Sequence, residues 1–214
     1  MRARRLSYPE LATLPPGELR GAVLLGPVRL PDGVLPKGTR LDAADAVRLT
    51  QAAAAGGPGE AVRLAWPDPG DLHEDDAAAR LAAAVAGPGV ETRPPRQSRL
   101  DLAARWDGVL HVRPDGLARI NAIDPLEVFT LYTGQAVTAG EVVASVKVAP
   151  HLVPSGAVEA GERLARTSGP LIEVRRYLDL EVGAIAEEAM TADALARFER
   201  GARLKVESLG SRFA

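Results

Sequence analysis

Residues 178–214, LDLEVGAIAEEAMTADALARFERGARLKVESLGSRFA, decide the fold class expected of this chain. Residues 177–186 are mostly apolar, which is typical of a strand covered on both faces. A helix is predicted over residues 191–208, with Thr191 as N-cap and Gly210 just past its end. One apolar stripe runs along this helix at three- to four-residue spacing: Leu195, Phe198, Ala202, Val206 and Leu209. Residues 211–214 resemble the start of another strand, so the segment predicts a parallel β-α-β unit.

This β-α-β unit is too small to cover a parallel strand on both faces by itself. Either its strand joins a sheet formed earlier in the chain, or the protein continues past Ala214. We expect the second arrangement, in which the helix packs its stripe on the preceding strand and leaves an open sheet edge. The predicted fold class is therefore α/β. It comprises an irregular lead-in at residues 1–20, a mixed, β-rich N-terminal domain at 21–176, and the first βα unit of an incomplete parallel-sheet domain at 177–214.

Short strand and helix patterns alternate upstream of that unit. Residues 90–97 are broken by arginine and proline and predict a loop, and residues 99–105 predict one or two helical turns. Asp42 is the expected N-cap of the first clear helix. The predicted strands span residues 21–30, 61–66, 108–112, 127–132, 142–149 and 171–175, and the predicted helices span 42–55, 74–85, 115–123 and 157–167.

Composition limits the possible partners and chemistry. The chain has 214 residues, 46% of them hydrophobic and 4% aromatic, so a core of Ala, Val and Leu is expected. A net charge of −2 offers no bulk attraction for nucleic acid or an anionic membrane. The basic start, Arg2, Arg4 and Arg5, is either a phosphate-binding arm or an exposed, frayed terminus, and we expect the terminus. The absence of cysteine excludes disulfides and thiolate chemistry and fits a cytoplasmic chain.

Familiar catalytic signatures are missing from the sequence. There is no phosphate-cradling glycine loop ahead of a helix and no nucleophile elbow. Residues 56–59, GGPG, follow a helix and are interpreted as its terminator. The three histidines, His73, His111 and His151, show no metal-ligand spacing, so no metal site is predicted. His73 precedes three acidic residues, an arrangement that indicates a cation site or, as we favour, a capping cluster at a helix start.

Several polar residues are candidates for ligand contacts. Lys147 interrupts an apolar strand and should face either solvent, which is favoured, or a ligand. Asn121 either binds a ligand or, as favoured, caps a turn. Glu187 and Glu188 follow the last predicted strand, where they could orient a substrate or Mg²⁺ or serve as ordinary loop charges. Lys37, Arg96 and Arg99 are the further basic candidates.

Several pieces of the chain together resemble the N-terminal half of bacterial molybdopterin-binding proteins related to the molybdopterin molybdotransferases. Some members of that family are fused to a molybdenum-cofactor nucleotidyltransferase. The pieces that carry the resemblance are residues 35–41 (LPKGTRL), 70–75 (GDLHED), 98–102 (SRLDL), 120–124 (INAID) and 143–150 (VASVKVAP). In the family a molybdopterin-binding α/β domain follows this half, and residues 182–188 (VGAIAEE) resemble its first strand.

The resemblance implies a protein of molybdenum cofactor biosynthesis that presents molybdopterin, a phosphorylated pterin, for metal insertion or nucleotide transfer. It further implies Mg²⁺ and a nucleotide, a homo-oligomer or a partner catalytic domain, and no independent catalysis by residues 1–214. The alternative is a non-enzymatic binding or scaffolding module that pairs with a separate catalytic chain. The cofactor-binding candidates on the first interpretation are Lys37, Arg99, Asn121, Lys147, Glu187 and Glu188.

Overall fold

The computed structural model describes residues 1–57, 61–95 and 99–214. These residues form mixed helices and strands in several small, mostly antiparallel sheets, so the predicted α/β class is confirmed. Two apolar cores, one on each side of residue 70, hold most of the buried side chains. Both cores consist chiefly of Ala, Val and Leu, as the aromatic-poor composition predicts. No helix in the described ranges has the length and apolar character needed to span a bilayer.

The first unit packs three helices on a small antiparallel sheet of order β1-β5-β2 and on the β3–β4 hairpin. Asp42 caps its longest helix, accepting the Asp45 N–H at 2.8 Å, as predicted. The predicted strand at 61–66 is confirmed as well. The elements are β1 (Arg2–Leu6), α1 (Tyr8–Thr13), α2 (Pro16–Leu19), β2 (Val23–Leu24), β3 (Val28–Leu30), β4 (Gly33–Leu35), α3 (Ala43–Ala54) and β5 (Val62–Trp66).

Three predictions for this unit differ from the structure. The lead-in at residues 1–20 is not irregular, because β1 pairs along its whole length with β5 and α1 and α2 follow it. Only Leu6 of β1 is buried, so the strand shows no apolar alternation and its pairing is a tertiary effect. The basic start is consequently an ordered sheet edge rather than a frayed terminus. The strand predicted at 21–30 is divided into β2 and β3.

The second unit packs two long helices on a four-stranded antiparallel sheet of order β10-β12-β8-β7. A three-stranded sheet of order β11-β9-β14 and the β13–β6 pair complete it. The elements are β6 (Asp71–His73), α4 (Glu74–Val85), β7 (Val90–Thr92), β8 (Arg99–Ala104), β9 (Gly108–Val112), α5 (Pro114–Asn121), β10 (Leu126–Thr130), β11 (Ala136–Val137), β12 (Val142–Val148), β13 (Leu152–Pro154), α6 (Ser155–Ser168) and β14 (Ile172–Arg176).

The helical turns predicted at 99–105 are wrong, because these residues form β8. Strand β8 pairs with β12 on one side and with β7 on the other. Its alternate residues Leu100, Leu102 and Ala104 enter the core, so the two neighbouring ladders and the core determine its conformation. The loop predicted at 90–97 contains β7 at its start. Residues 96–98, among them the candidate Arg96, lie outside the described residues.

The two units meet at a polar joint beside α4. His73 caps α4 by accepting the Asp75 N–H at Nδ1, and its Nε2 lies 2.9 Å from the Gly38 carbonyl oxygen. The favoured capping interpretation of His73 is thereby confirmed. Oε2 of the buried Glu74 carboxylate lies 2.9 Å from Nδ1 of His151. Within the described chain, neither Oε2 of Glu74 nor Nδ1 of His151 makes a hydrogen bond. A side chain at position 38 would collide with Glu74, so this contact requires glycine.

The C-terminal segment forms the predicted β-α-β unit, with β15 (Glu181–Val182) and β16 (Arg212–Phe213) parallel and α7 (Ala192–Glu207) between them. Thr191 caps α7 as predicted, accepting the Ala194 N–H at 3.3 Å. Within the described chain, β15 pairs with no earlier strand. The predicted strand at 177–186 shrinks to two residues, and its expected burial is wrong: two short strands and a helix offer too little surface to cover its apolar side chains. Leu195 and Phe198 of α7 remain 41% and 40% exposed.

Gly89, between α4 and β7 of the second unit, tests how closely β14 approaches this turn. It has φ +79°, and an added Cβ would collide with the Val174 carbonyl oxygen and lie 2.7 Å from the Trp106 ring. Gly134 has φ +85° with open space around it, so it isolates the conformational cost alone. We expect Gly134→Ala to lower the free energy of unfolding by about 1–2 kcal/mol. Gly89→Ala should cost at least about 2 kcal/mol more, measured by urea unfolding. Equal losses for the two variants would contradict the tight approach of β14 to Gly89.

Candidate functional site

The four-stranded sheet of the second unit has one face in the core and one polar face. Its inner side chains, among them Leu100, Val128 and Val146, lie in the core with those of α4. The antiparallel register places Lys147 opposite Arg99, and Ser145 between Asp101 and Phe129, on the opposite face. We call the following set the outer-face cluster: Arg99, Asp101, Phe129, Ser145 and Lys147. Two of the predicted candidates, Arg99 and Lys147, are thus brought together as cross-strand neighbours.

Asp101 organises the outer-face cluster. One of its carboxylate oxygens accepts the Ser145 hydroxyl at 2.7 Å and the Arg99 Nε–H at 2.8 Å. The Ser145 hydrogen bond, followed by the charges of Arg99 and Arg93, holds the pKa of the Asp101 carboxyl below its usual range. The carboxylate is therefore ionised at neutral pH. Arg99 is held through Nε, and its two terminal nitrogens have no hydrogen-bond partner among the described residues, so they can donate to an incoming acceptor.

The remaining members supply charge and apolar surface. Lys147 is exposed between Arg99 on one side and Glu127 on the other, and no ion pair involving it is present in the described ranges. Two cations directly opposite each other on a sheet repel, a cost that a bound anion would offset. The Phe129 ring is 55% exposed beside Ser145. Basic side chains next to an exposed aromatic ring suit an anionic ligand that also carries a flat ring.

Three members of this cluster, Asp101, Ser145 and Phe129, were missed by sequence reasoning. The signal was present in residues 99–104, where polar and apolar side chains alternate as in a half-buried strand. Interpreting this stretch as helical turns places Arg99 and Asp101 on different faces. The strand places them on the same face, two residues apart. Phe129 and Ser145 gave no local signal, because only strand pairing makes them neighbours.

The other predicted site residues lie outside the outer-face cluster. Asn121 is structural, since its amide donates to the Val128 carbonyl at 3.0 Å and accepts the Val128 N–H at 2.8 Å. These two hydrogen bonds span the turn between α5 and β10, as the favoured turn interpretation expects, and a ligand contact by Asn121 stays a prediction. Lys37 is exposed in the turn after β4 of the first unit. Glu187 and Glu188 are exposed between β15 and α7. No described contact joins these three residues to the outer-face cluster.

The described side chains offer no metal site. Within the described ranges, no group of three or more His, Cys, Asp or Glu side chains is arranged to hold an ion. In the outer-face cluster the Ser145 hydroxyl donates to the Asp101 carboxylate, and because Ser145 is only 7% exposed, this hydrogen bond fixes Asp101 instead of presenting the hydroxyl to a ligand. What the cluster can do is bind and orient an anionic ligand.

Comparison with known proteins adds no relative. The chain matches no family model, no curated protein and no solved structure. Its sites must therefore be judged on their own geometry.

The Asp101 hydrogen bonds predict a pH-dependent stability. A carboxyl whose folded pKa lies below its unfolded value stabilises the fold above the unfolded pKa and loses this effect as pH falls through the folded value. We expect Asp101→Asn to lower the free energy of unfolding by about 1 kcal/mol at pH 7. This difference should disappear in acid, as measured by urea unfolding between pH 7 and pH 2. Glu91→Gln, on the same sheet, is the control and should show no such trend. A constant difference across the pH range would contradict the account of Asp101.

The two Asn121 hydrogen bonds predict a structural rather than a ligand role. Asn121→Ala leaves the Val128 N–H and carbonyl without their partner and should cost about 1–3 kcal/mol of unfolding free energy. Arg119→Ala, at an exposed position of the same helix, is the control and should cost much less. Thermal or urea unfolding measures the stability of both variants. Equal stabilities of the two variants would show that the Asn121 bridge is not made in solution.

Proposed function

We propose that this chain is part of a molybdopterin-binding protein of molybdenum cofactor biosynthesis. It would hold the phosphorylated pterin for metal insertion or nucleotide transfer. The observation that carries the proposal is the outer-face cluster, in which Arg99 and Lys147 lie opposite each other near the exposed Phe129. The family resemblance of residues 98–102 and 143–150 supports it further, since these two segments supply four of the five cluster residues.

The pterin phosphate would bind between Arg99 and Lys147. The planar guanidinium of Arg99, held at Nε by Asp101, can present both terminal nitrogens to two phosphate oxygens. Lys147 adds a mobile point charge from the neighbouring strand. A phosphate dianion between the two cations would remove the repulsion they exert on each other in the unliganded sheet.

The pterin ring would stack on Phe129. The chain has three phenylalanines, and this one exposes more than half of its surface on the sheet face. An aromatic ring exposed to water lacks the stabilisation that burial in the core would give. In this proposal the exposed ring beside the cations therefore serves to bind the pterin. An alanine or serine at this position would expose less apolar surface.

The chain's own contribution in this proposal is binding and orientation. Asp101 and Ser145 fix the arginine, Arg99 and Lys147 hold the phosphate, and Phe129 holds the ring. The Mg²⁺ and the nucleotide implied by the family have no ligand cluster among the described residues, so we assign them no step. Exposed Glu187 and Glu188 remain carboxylates that a partner domain could use. A cytoplasmic location and assembly with a copy of itself or with a catalytic domain are parts of the same proposal.

A second candidate function is a scaffolding module that pairs with a separate catalytic chain. The observation in its favour is the apolar surface of the C-terminal unit. It includes Leu178, Ile185 and Leu204, which are largely exposed. Unpartnered apolar surface of this kind is typical of protein–protein contacts. On this interpretation Arg99 and Lys147 would be interface residues rather than phosphate ligands.

Titration with purified molybdopterin under anaerobic conditions, followed by pterin fluorescence, tests the first proposal. Arg99→Gln should weaken binding at least about tenfold, since charge-assisted hydrogen bonds contribute about 1.5–3 kcal/mol. Phe129→Leu should weaken it about threefold to tenfold through loss of stacking. Lys205→Gln, an equal charge change on α7, should leave the affinity unchanged. The proposal fails if the unmodified chain shows no binding, or if Lys205→Gln weakens binding as much as Arg99→Gln. Binding of a catalytic chain without pterin binding would support the scaffolding function.

A further inference from the structure

The first unit contains a cleft of about 760 Å³ that includes no residue of the outer-face cluster. Residues from β3, β4 and β5 and from the loop before β3 line it, and Arg29 and Arg63 are its charged side chains. Its volume lies within the range of about 300–1,000 Å³ that small-molecule sites occupy. Arg63 also lines a smaller hollow with Arg4 and Arg5, so the two spaces meet at the Arg63 side chain.

Arg5 and Arg63 lie directly opposite each other in the β1–β5 ladder. In such a pair the two Cβ atoms are about 4.5–5.5 Å apart and the side chains extend from the same face of the sheet. Like charges in this position destabilise a sheet. Arg29 brings a third positive charge, since it lines the larger cleft together with Arg63.

The three arginines share one feature, the lack of a side-chain partner among the described residues. Arg5, Arg29 and Arg63 make no side-chain ion pair, hydrogen bond or ring contact within the described ranges. Seven arginines elsewhere, by contrast, lie within 3.2 Å of a carboxylate: Arg40, Arg48, Arg80, Arg99, Arg175, Arg203 and Arg212. The chain is acidic overall, so three unpaired guanidinium groups around the cleft and the hollow that adjoins it are a local departure from its charge pattern.

The backbone at the cleft leaves room for a ligand. Gly26 lies in the loop that precedes β3, and an added Cβ there would be 3.5 Å from Nη2 of Arg63. A side chain larger than methyl would therefore extend beside the guanidinium group. With glycine at this position the group stays open to an incoming oxyanion. Guanidinium groups bind phosphate through two parallel hydrogen bonds.

We propose that Arg5, Arg29 and Arg63, which line the cleft and the hollow that adjoins it, form a binding site for a diphosphate group, either free or carried by a small organic molecule. Arg5 and Arg63 hold one phosphate between them and Arg29 holds the second. Binding neutralises the repulsion within the β1–β5 ladder. The site is separate from the outer-face cluster, which shares no residue with it, and does not depend on the pterin proposal.

Isothermal titration calorimetry at low salt tests this, with inorganic diphosphate, ADP, adenosine and sulfate as probes. We expect diphosphate or ADP to bind at least about tenfold more tightly than sulfate, because three guanidinium groups engage two phosphates. Diphosphate binding without any gain for ADP identifies the free anion as the ligand. Tighter binding of ADP, with none of adenosine, identifies a carried diphosphate.

Arg63→Gln and Arg5→Gln should each weaken binding at least about tenfold, as loss of one charged hydrogen-bonding group predicts. Arg20→Gln, the same charge change outside the cleft in the same unit, should stay within about twofold of the original affinity. Because Arg63→Gln also removes a like-charge contact, its melting temperature should equal or exceed that of the unmodified chain, which excludes unfolding as the cause. Sulfate binding as tight as diphosphate, equal losses in Arg20→Gln and Arg63→Gln, or no binding of either phosphate probe would overturn the proposal.

Discussion

The antiparallel pairing of β8 with β12 is the constraint on which the second unit and its polar face depend. It sets Leu100 opposite Val146 towards the core, and the same register sets Arg99 opposite Lys147 and Asp101 opposite Ser145 on the other side. A slip of one residue would carry every apolar side chain of β8 to the polar face, so core burial fixes the positions of the charged groups. The outer-face cluster is in this sense a consequence of how the core packs.

The joint between the two units depends on a different interaction. The His73 Nε2 contact with the Gly38 carbonyl links the first unit to the start of α4, and the Glu74–His151 contact of the second unit packs against the bare backbone of Gly38. The small apolar cluster of Val23, Ala65 and Leu152 continues this contact. Each unit carries its own candidate anion site, and in both sites cross-strand pairing places two cations opposite each other. Arg99 is also paired with Asp101, whereas Arg5 and Arg63 have no carboxylate partner among the described residues.

Local signals predicted much of the secondary structure correctly. The helices α3, α4 and α7 begin at the expected caps, because a cap hydrogen bond involves residues only two or three positions apart. The Asn121 bridge joins residues seven positions apart, which is still local in the sequence. Prediction failed at β1, whose charged residues hide the strand pattern, and at β8, whose alternation of polar and apolar residues was interpreted as helical turns. It also failed for the burial of residues 177–186, since apolar composition does not show whether a covering layer is present.

The sequence by itself determined the α/β class, the cap positions and the presence of basic side chains such as Arg99 and Lys147 in apolar surroundings. The tertiary structure alone decided that these two residues are neighbours, that Asp101 orients one of them, and that Arg5 faces Arg63. The physical reason is distance along the chain. Caps depend on residues within one or two turns, whereas the Arg99–Lys147 and Arg5–Arg63 pairs join residues more than forty positions apart, whose register is set only when the core packs.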